Sequence, residues 1–144
     1  MAVNPIPKGY HTVTPFIIVK DAKKLIEFLK NAFDAEVMHV SEHDGVVMHA
    51  EVKIGDSMIM LAEGSEKFPA VPANHYIYVP DTDALYKKAI AAGAESTMEP
   101  ANQFYGDRNA GVKDFAGNTW WIATHIEDVS AEEIQKRMSE GRKG

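Results

Sequence analysis

The sequence predicts an α+β fold of two tandem β-α-β-β-β modules followed by a short C-terminal helix, and three observations carry that prediction. Two β-branched or aromatic apolar segments are each followed by an Asp and a helix-length run. After the first of these come runs with apolar residues at mostly two-residue spacing, broken by Asp-Gly and Gly-Asp pairs. The pattern then repeats: Val19-Lys20-Asp21 returns as Val79-Pro80-Asp81, and "GDSMIML" from Gly55 is echoed by "GNTWWIA" from Gly117, two anchors at offsets of about 60 residues.

After the Pro-punctuated lead "NPIPKGY", the segment "TVTPFIIV" has the composition of a first strand over roughly 12–19, with Pro15 at an edge or bulge because it has no N–H to donate. Asp21 precedes "AKKLIEFLKNAF", where Leu25, Phe28, Leu29, Ala32 and Phe33 recur at three- and four-residue steps and give one apolar stripe with a charged back. The segments "EVMHVSEHDG", "VVMHAEVKIGD" and "SMIMLAEG" read as successive antiparallel strands. These elements form module one, about 10–63. "EGSEKFPAVPANH" is rich in Pro, Gly and small polar residues and reads as a linker, about 64–74. Module two, about 75–126, opens with "YIYVPDTDALYKKAIAAGAE": a strand, an Asp-led helix and Gly93 at its C-terminal cap. Gly117-Asn118 reads as a tight turn before the last strand. In residues 127–144, Ser130 and Glu133 make a capping box for a short, largely polar helix with a basic tail, peripheral or packed on a partner. The 144 residues make one domain.

Composition narrows the function. The formal net charge of −6 offers no positive field to a phosphate backbone, so nucleic acid is excluded as a partner. Cysteine is absent, which removes disulfides, thiolate ligands and thiol nucleophiles and suits a reducing cytoplasm. The first twelve residues lack the apolar run of a signal peptide, and no stretch of about twenty apolar residues suggests a membrane span. No Ser-His-Asp order, Gly-rich phosphate loop or HExxH helix occurs, which argues against a nucleophile-driven hydrolase.

Paired modules with Val-x-Asp at each helix start and a Gly-containing turn before each final strand resemble the vicinal oxygen chelate superfamily of glyoxalases, extradiol dioxygenases and bleomycin-resistance proteins, over about residues 10–126. Within it, "TPFIIVKDAKKLIEFLKNAF", "MHAEVKIGDSMIML", "YGDR" and "GNTWWIATHIEDVS" resemble the PhnB-like branch. One departure is that the family's Asp-Pro-Phe-Gly turn stands here as Asp114-Phe115-Ala116-Gly117, which changes turn rigidity more than chemistry. The resemblance implies curved mixed sheets around a shared cavity and a homodimer.

It also implies where a metal would sit, on the first and last strands of each module. The four positions read Thr14, Ile59 or Met60, His75 and Trp121. One imidazole among such groups holds a divalent ion poorly, so no metal and no cofactor is expected. The Met and Trp side chains make better walls for an apolar or aromatic ligand. His49 and Glu51, two apart on one strand, share a face and are open to two readings, a ligand pair or a strand-surface pair. Glu63, at the mouth of the linker, is expected in solvent. In Tyr105-Gly106-Asp107-Arg108, either Arg108 and Tyr105 anchor a polar ligand group at the cavity rim, or Asp107 pairs with Arg108 and pins the hairpin; the structural reading is favoured. Trp120 and Trp121 point to opposite faces, with Trp121 in the cavity. The leading expectation is a metal-independent protein, with no assigned catalytic residue, binding a small, partly apolar organic molecule among Met60, His75, Trp121, His49, Tyr105 and Arg108. A glyoxalase-type lyase or isomerase using His75 with His49 or Glu51 is the alternative, and a structural dimer with a filled cavity the third. Methyltransferase activity is discounted because no glycine-rich strand-loop-helix is present.

Overall fold

The computed structural model describes residues 2–142. Two four-stranded mixed sheets and three helices follow the element order read from the sequence. The first sheet takes β1 (Phe16–Val19), β2 (Glu36–His43), β3 (Val46–Ile54) and β4 (Ser57–Glu63) in the order β1-β4-β3-β2, with α1 (Ala22–Phe33) after β1. The second takes β5 (Asn74–Tyr78), β6 (Glu95–Asn102), β7 (Asp107–Lys113) and β8 (Thr119–His125) in the order β5-β8-β7-β6, with α2 (Thr82–Ala91) after β5. Helix α3 (Ala131–Arg142) closes the described chain. The identical strand orders are the structural form of the internal repeat.

Local chemistry sets the boundaries. The first strand is shorter than its composition suggests: Pro15 stays outside it, and its carbonyl accepts the Met60 N–H at 2.9 Å. Asp44 and Gly45, both at positive φ, make the β2–β3 turn. Asp21 and Asp81 each accept a backbone N–H three residues on, at 3.2 and 3.1 Å, and so cap α1 and α2. Glu63, expected in solvent, instead accepts the Asp21 and Ala22 amides at 2.8 and 2.9 Å and finishes the start of α1. Ser130 accepts the Glu133 amide at 3.1 Å, but the Glu133 carboxylate turns to Arg137 rather than back to Ser130, so only half of the capping box forms.

Each sheet has one helix-covered face and one open face. The α1 stripe of Leu25, Phe28, Leu29, Ala32 and Phe33 is buried against Ile17, Val19, Val52 and Leu61 of the first sheet. Helix α2 covers β6, β7 and β8, and the two helices pack on each other. Trp120 is fully buried where the modules join, its ring 5.3 Å from that of Phe33. Among the described residues the two modules meet through α1 and α2, and a groove between them is lined from both sheets. No helix among the described residues is long and apolar enough to cross a membrane.

Candidate functional site

Strand register decides which side chains can cooperate. In the parallel pair β5–β8, His75 lies opposite Trp120 and Tyr76 opposite Trp121. Opposed residues share a face, so Trp121 belongs to the open face with Tyr76, while His75 belongs to the helix-covered face. There His75 stacks on Trp120 with ring centroids 4.4 Å apart, its Nε2 is buried without a partner, and burial lowers its pKa against the opposing pull of Asp114. The wall expected from Met60, His75 and Trp121 is therefore divided: Met60 lies on the first sheet's open face opposite Phe16, Trp121 on the second's, and His75 behind it.

Arg108 is also on the covered side. Its Nε and Nη2 donate to the Asp83 carboxylate of α2 at 2.7 and 2.8 Å, and Nη1 donates to Asn102 at 3.1 Å. It pins the sheet to a helix and does not pair with Asp107. His49 keeps to the first sheet's open face, 6.2 Å from Phe16, and Glu51 accepts the hydroxyl of Tyr10, whose pKa burial and that bond push up to about 12. His49 and Glu51 thus share a face, but no bond joins them among the described residues.

On the second open face the register assembles a different site. Tyr76, Met98, Gln103, Tyr105, Asn109 and Trp121 line a pocket of about 330 Å³. Behind it, buried Asp107 accepts from Tyr76 at 2.6 Å, from Tyr78 at 2.9 Å and from His125 Nδ1 at 2.9 Å, and His125 Nε2 reaches Asp128 at 2.7 Å. Burial works to raise the Asp107 pKa, but the bonds from Tyr76, His125 and Tyr78 outweigh it and hold the carboxyl below its ordinary range. The same bonds raise His125, through Asp107 first and Asp128 second, so the imidazolium sits between two carboxylates. Burial and the Asp107 bond push the Tyr76 hydroxyl well above its ordinary value, which keeps it a donor. Asn109 Nδ2 lies 3.1 Å from the Tyr76 hydroxyl and 2.6 Å from that of Tyr105.

The loop carrying Tyr105 is held from outside the sheet. The Gly106 carbonyl accepts the Ile126 and Glu127 amides at 2.9 and 3.1 Å, and Arg137 of α3 donates to the Phe104 carbonyl at 2.8 Å. Helix α3 is thus a brace for the pocket rim. Gly111 shapes the floor: a Cβ there would fall 2.9 Å from the Trp121 ring and 2.5 Å from the Thr97 hydroxyl, so only glycine lets that indole lie across β7. Gly111→Ala is expected to displace the Trp121 indole while leaving Trp120 in place, at a cost of about 1–3 kcal/mol. NMR of the two indole N–H groups together with urea unfolding measures both effects.

A larger groove of about 780 Å³ runs between the modules past Asp34, Lys53, Asp56 and Leu85. It takes in Tyr76 and Tyr78, which bond Asp107, but not the Trp121 and Met98 wall or the Tyr105 and Asn109 groups of the smaller pocket, which makes the smaller pocket the better candidate site.

A family model described as the glyoxalase/bleomycin resistance protein/dioxygenase superfamily matches residues 10–122. The chain belongs to this superfamily. Uncharacterized proteins of Mycobacterium bovis and Mycobacterium tuberculosis are 32% identical to it over 96% of its length, covering 97% and 86% of their own chains. Among solved structures, TioX from Micromonospora sp. superposes with a TM-score of 0.68 at 19% identity over 79% of this chain and 99% of its own. The fosfomycin resistance protein FosX from Listeria monocytogenes, complexed with Mn(II) and sulfate, does so with a TM-score of 0.63 at 22% identity over 89% of this chain and 97% of its own. At such identities the solved structures share the fold.

A divalent ion of the kind the superfamily can carry is not matched by these residues. It needs three or four converging N or O donors, and among the described residues no three His, Cys, Asp or Glu side chains converge in that way. The one imidazole expected to contribute is turned to the helix side, and the open-face positions hold Phe16, Met60, Tyr76 and Trp121. The residues do not fit the group.

Proposed function

We propose that this superfamily member is PhnB-like and binds a small, partly apolar organic molecule on the open face of its second sheet, without a metal, in a cytoplasmic homodimer. The supporting observation is the pocket of about 330 Å³ in which Trp121, Met98 and Tyr76 supply apolar wall while Tyr105, Gln103 and Asn109 supply polar contacts. The resemblance of "YGDR" and "GNTWWIATHIEDVS" to the PhnB-like branch supports the narrower family reading. The dimer reading rests on apolar side chains left in the open on the first module, with Phe16 53% and Met48 51% exposed. A second copy that laid this face over the pocket would enclose the ligand.

Two measurements test the proposal. Sedimentation should give twice the monomer mass at micromolar concentration. A thermal-shift screen of neutral small molecules should give hits that disappear in Trp121→Ala, a half-buried position whose loss leaves the core intact. A monomer, or a screen whose hits survive Trp121→Ala, refutes the corresponding part.

A further inference from the structure

We infer that the second-module pocket takes an uncharged planar aromatic amide or lactam, whose carbonyl accepts the Tyr105 hydroxyl proton and whose N–H faces Asn109. This rests on the pocket being a ligand site and adds the ligand's chemistry.

Hydrogen-bond direction carries the argument. Ionised Asp107 has no proton to give, so the single proton of Tyr76 is committed to it at 2.6 Å. The Tyr76 oxygen can then only accept, which makes the Asn109 group 3.1 Å away the donating NH2. Its second N–H points to the Tyr105 oxygen at 2.6 Å, and Tyr105 likewise accepts. The chain Asp107–Tyr76–Asn109–Tyr105 thus runs in one direction and ends in a hydroxyl proton with no acceptor among the described residues. The same orientation fixes Asn109 Oδ1 as the amide's acceptor; Asn109 is 1% exposed and that oxygen has no partner. One uncommitted donor and one uncommitted acceptor, on two side chains lining one pocket, match the side-by-side acceptor and donor of an amide. A hydroxyl that must donate also disfavours a cation.

Charge selects against anions. The guanidinium nearest in sequence, Arg108, is on the far face with both forks on Asp83. The His125 imidazolium lies between Asp107 and Asp128, two negative charges against one positive. Among the described residues lining the pocket there is no cation, so an anionic ligand meets a net negative surround. Planarity follows from the Trp121 ring lying across Gly111, which makes it a stacking wall with the polarizable Met98 beside it.

Three probes sharing one ring separate the possibilities: indole-3-carboxamide, indole-3-carboxylate and 3-(aminomethyl)indole, titrated into the 15N-labelled full-length protein. The amide should shift the Trp121 indole N–H while the Trp120 N–H, bonded to buried Asp114 at 2.9 Å, stays still. Affinity should fall about tenfold for the carboxylate, for the amine and for the amide on Tyr105→Phe, which removes one hydroxyl and keeps the ring. Equal or tighter binding of either charged probe, or unchanged binding of the amide to Tyr105→Phe, overturns the inference. If the amide fails while other neutral molecules still move the Trp121 signal, the ligand class is wrong and the pocket stands. If no neutral molecule moves it, both readings fall.

Discussion

Trp120→Ala is expected to lower the unfolding free energy by about 4 kcal/mol, the largest single effect of any substitution considered. Three contributions converge on this side chain. It is fully buried where the modules meet, so its removal leaves a cavity that α1 cannot collapse into without losing its hold on the first sheet. Its ring packs on Phe33 at 5.3 Å and stacks on His75 at 4.4 Å, which couples an α1 residue, β5 and β8 through one group. Its Nε1 donates to Asp114 at 2.9 Å, and Asp114 also accepts the Ala116 and Asn118 amides at 2.9 and 3.0 Å, shaping the turn before β8. Trp120→Phe keeps an aromatic ring but loses the N–H donor to Asp114 and part of the indole's volume, so roughly 2–3 kcal/mol is expected, and this variant stays measurable if the alanine protein does not fold. Urea unfolding followed by circular dichroism checks both values. A loss below about 2 kcal/mol for alanine would mean that the modules are not joined through this residue.

Much of this architecture was legible because it follows from periodicity. The α1 stripe, the Asp caps, the Asp-Gly turn and the repeat all depend on neighbours close in sequence, and each was found where its residues predict it. The site was legible only in part. Trp121, expected in the cavity, lies on the open face, whereas His75, expected beside it, lies on the helix-covered side. Parity in the repeat contained the correction. Val19 is buried on the helix side, so its repeat partner Val79 shares that side; stepping back by twos gives Ile77 and His75, which leaves Tyr76 and Tyr78 for the open face. Other features carried no local signal. That Asp107 collects Tyr76, Tyr78 and His125, or that Arg108 reaches Asp83, depends on pairing between β5, β7 and β8 and on where α2 crosses the sheet. The groove-shaping role of Gly111 likewise emerges only once Trp121 lies opposite it.

Asp107→Asn is expected to destabilise the protein most near pH 5–6, and the gap from the native protein should narrow on both sides of that window. An amide at this position satisfies Tyr76 and Tyr78 with its oxygen only by turning its NH2 toward His125 Nδ1, which then must accept and cannot carry a proton. The variant therefore loses the charged pair, not the shape. The signs follow from linkage. Asp107 has a depressed pKa in the fold, so its contribution is present above the unfolded value of about 3.9 and lost as pH falls through the folded one. His125 has a raised pKa, so its contribution is complete below the unfolded value of about 6.5 and lost as pH rises through the folded one. Buried His75, lowered in the fold, acts on the acid side: it destabilises both proteins as pH falls below its unfolded value of about 6.5. Both proteins retain His75, so the difference between them isolates the Asp107–His125 pair. Urea unfolding of each from pH 3 to 9, with NMR titration of the His125 ring, measures it. A gap that stays constant from about pH 6 to 9 would show that the imidazole is neutral in the native fold and that the network behind the pocket is held by the tyrosines alone.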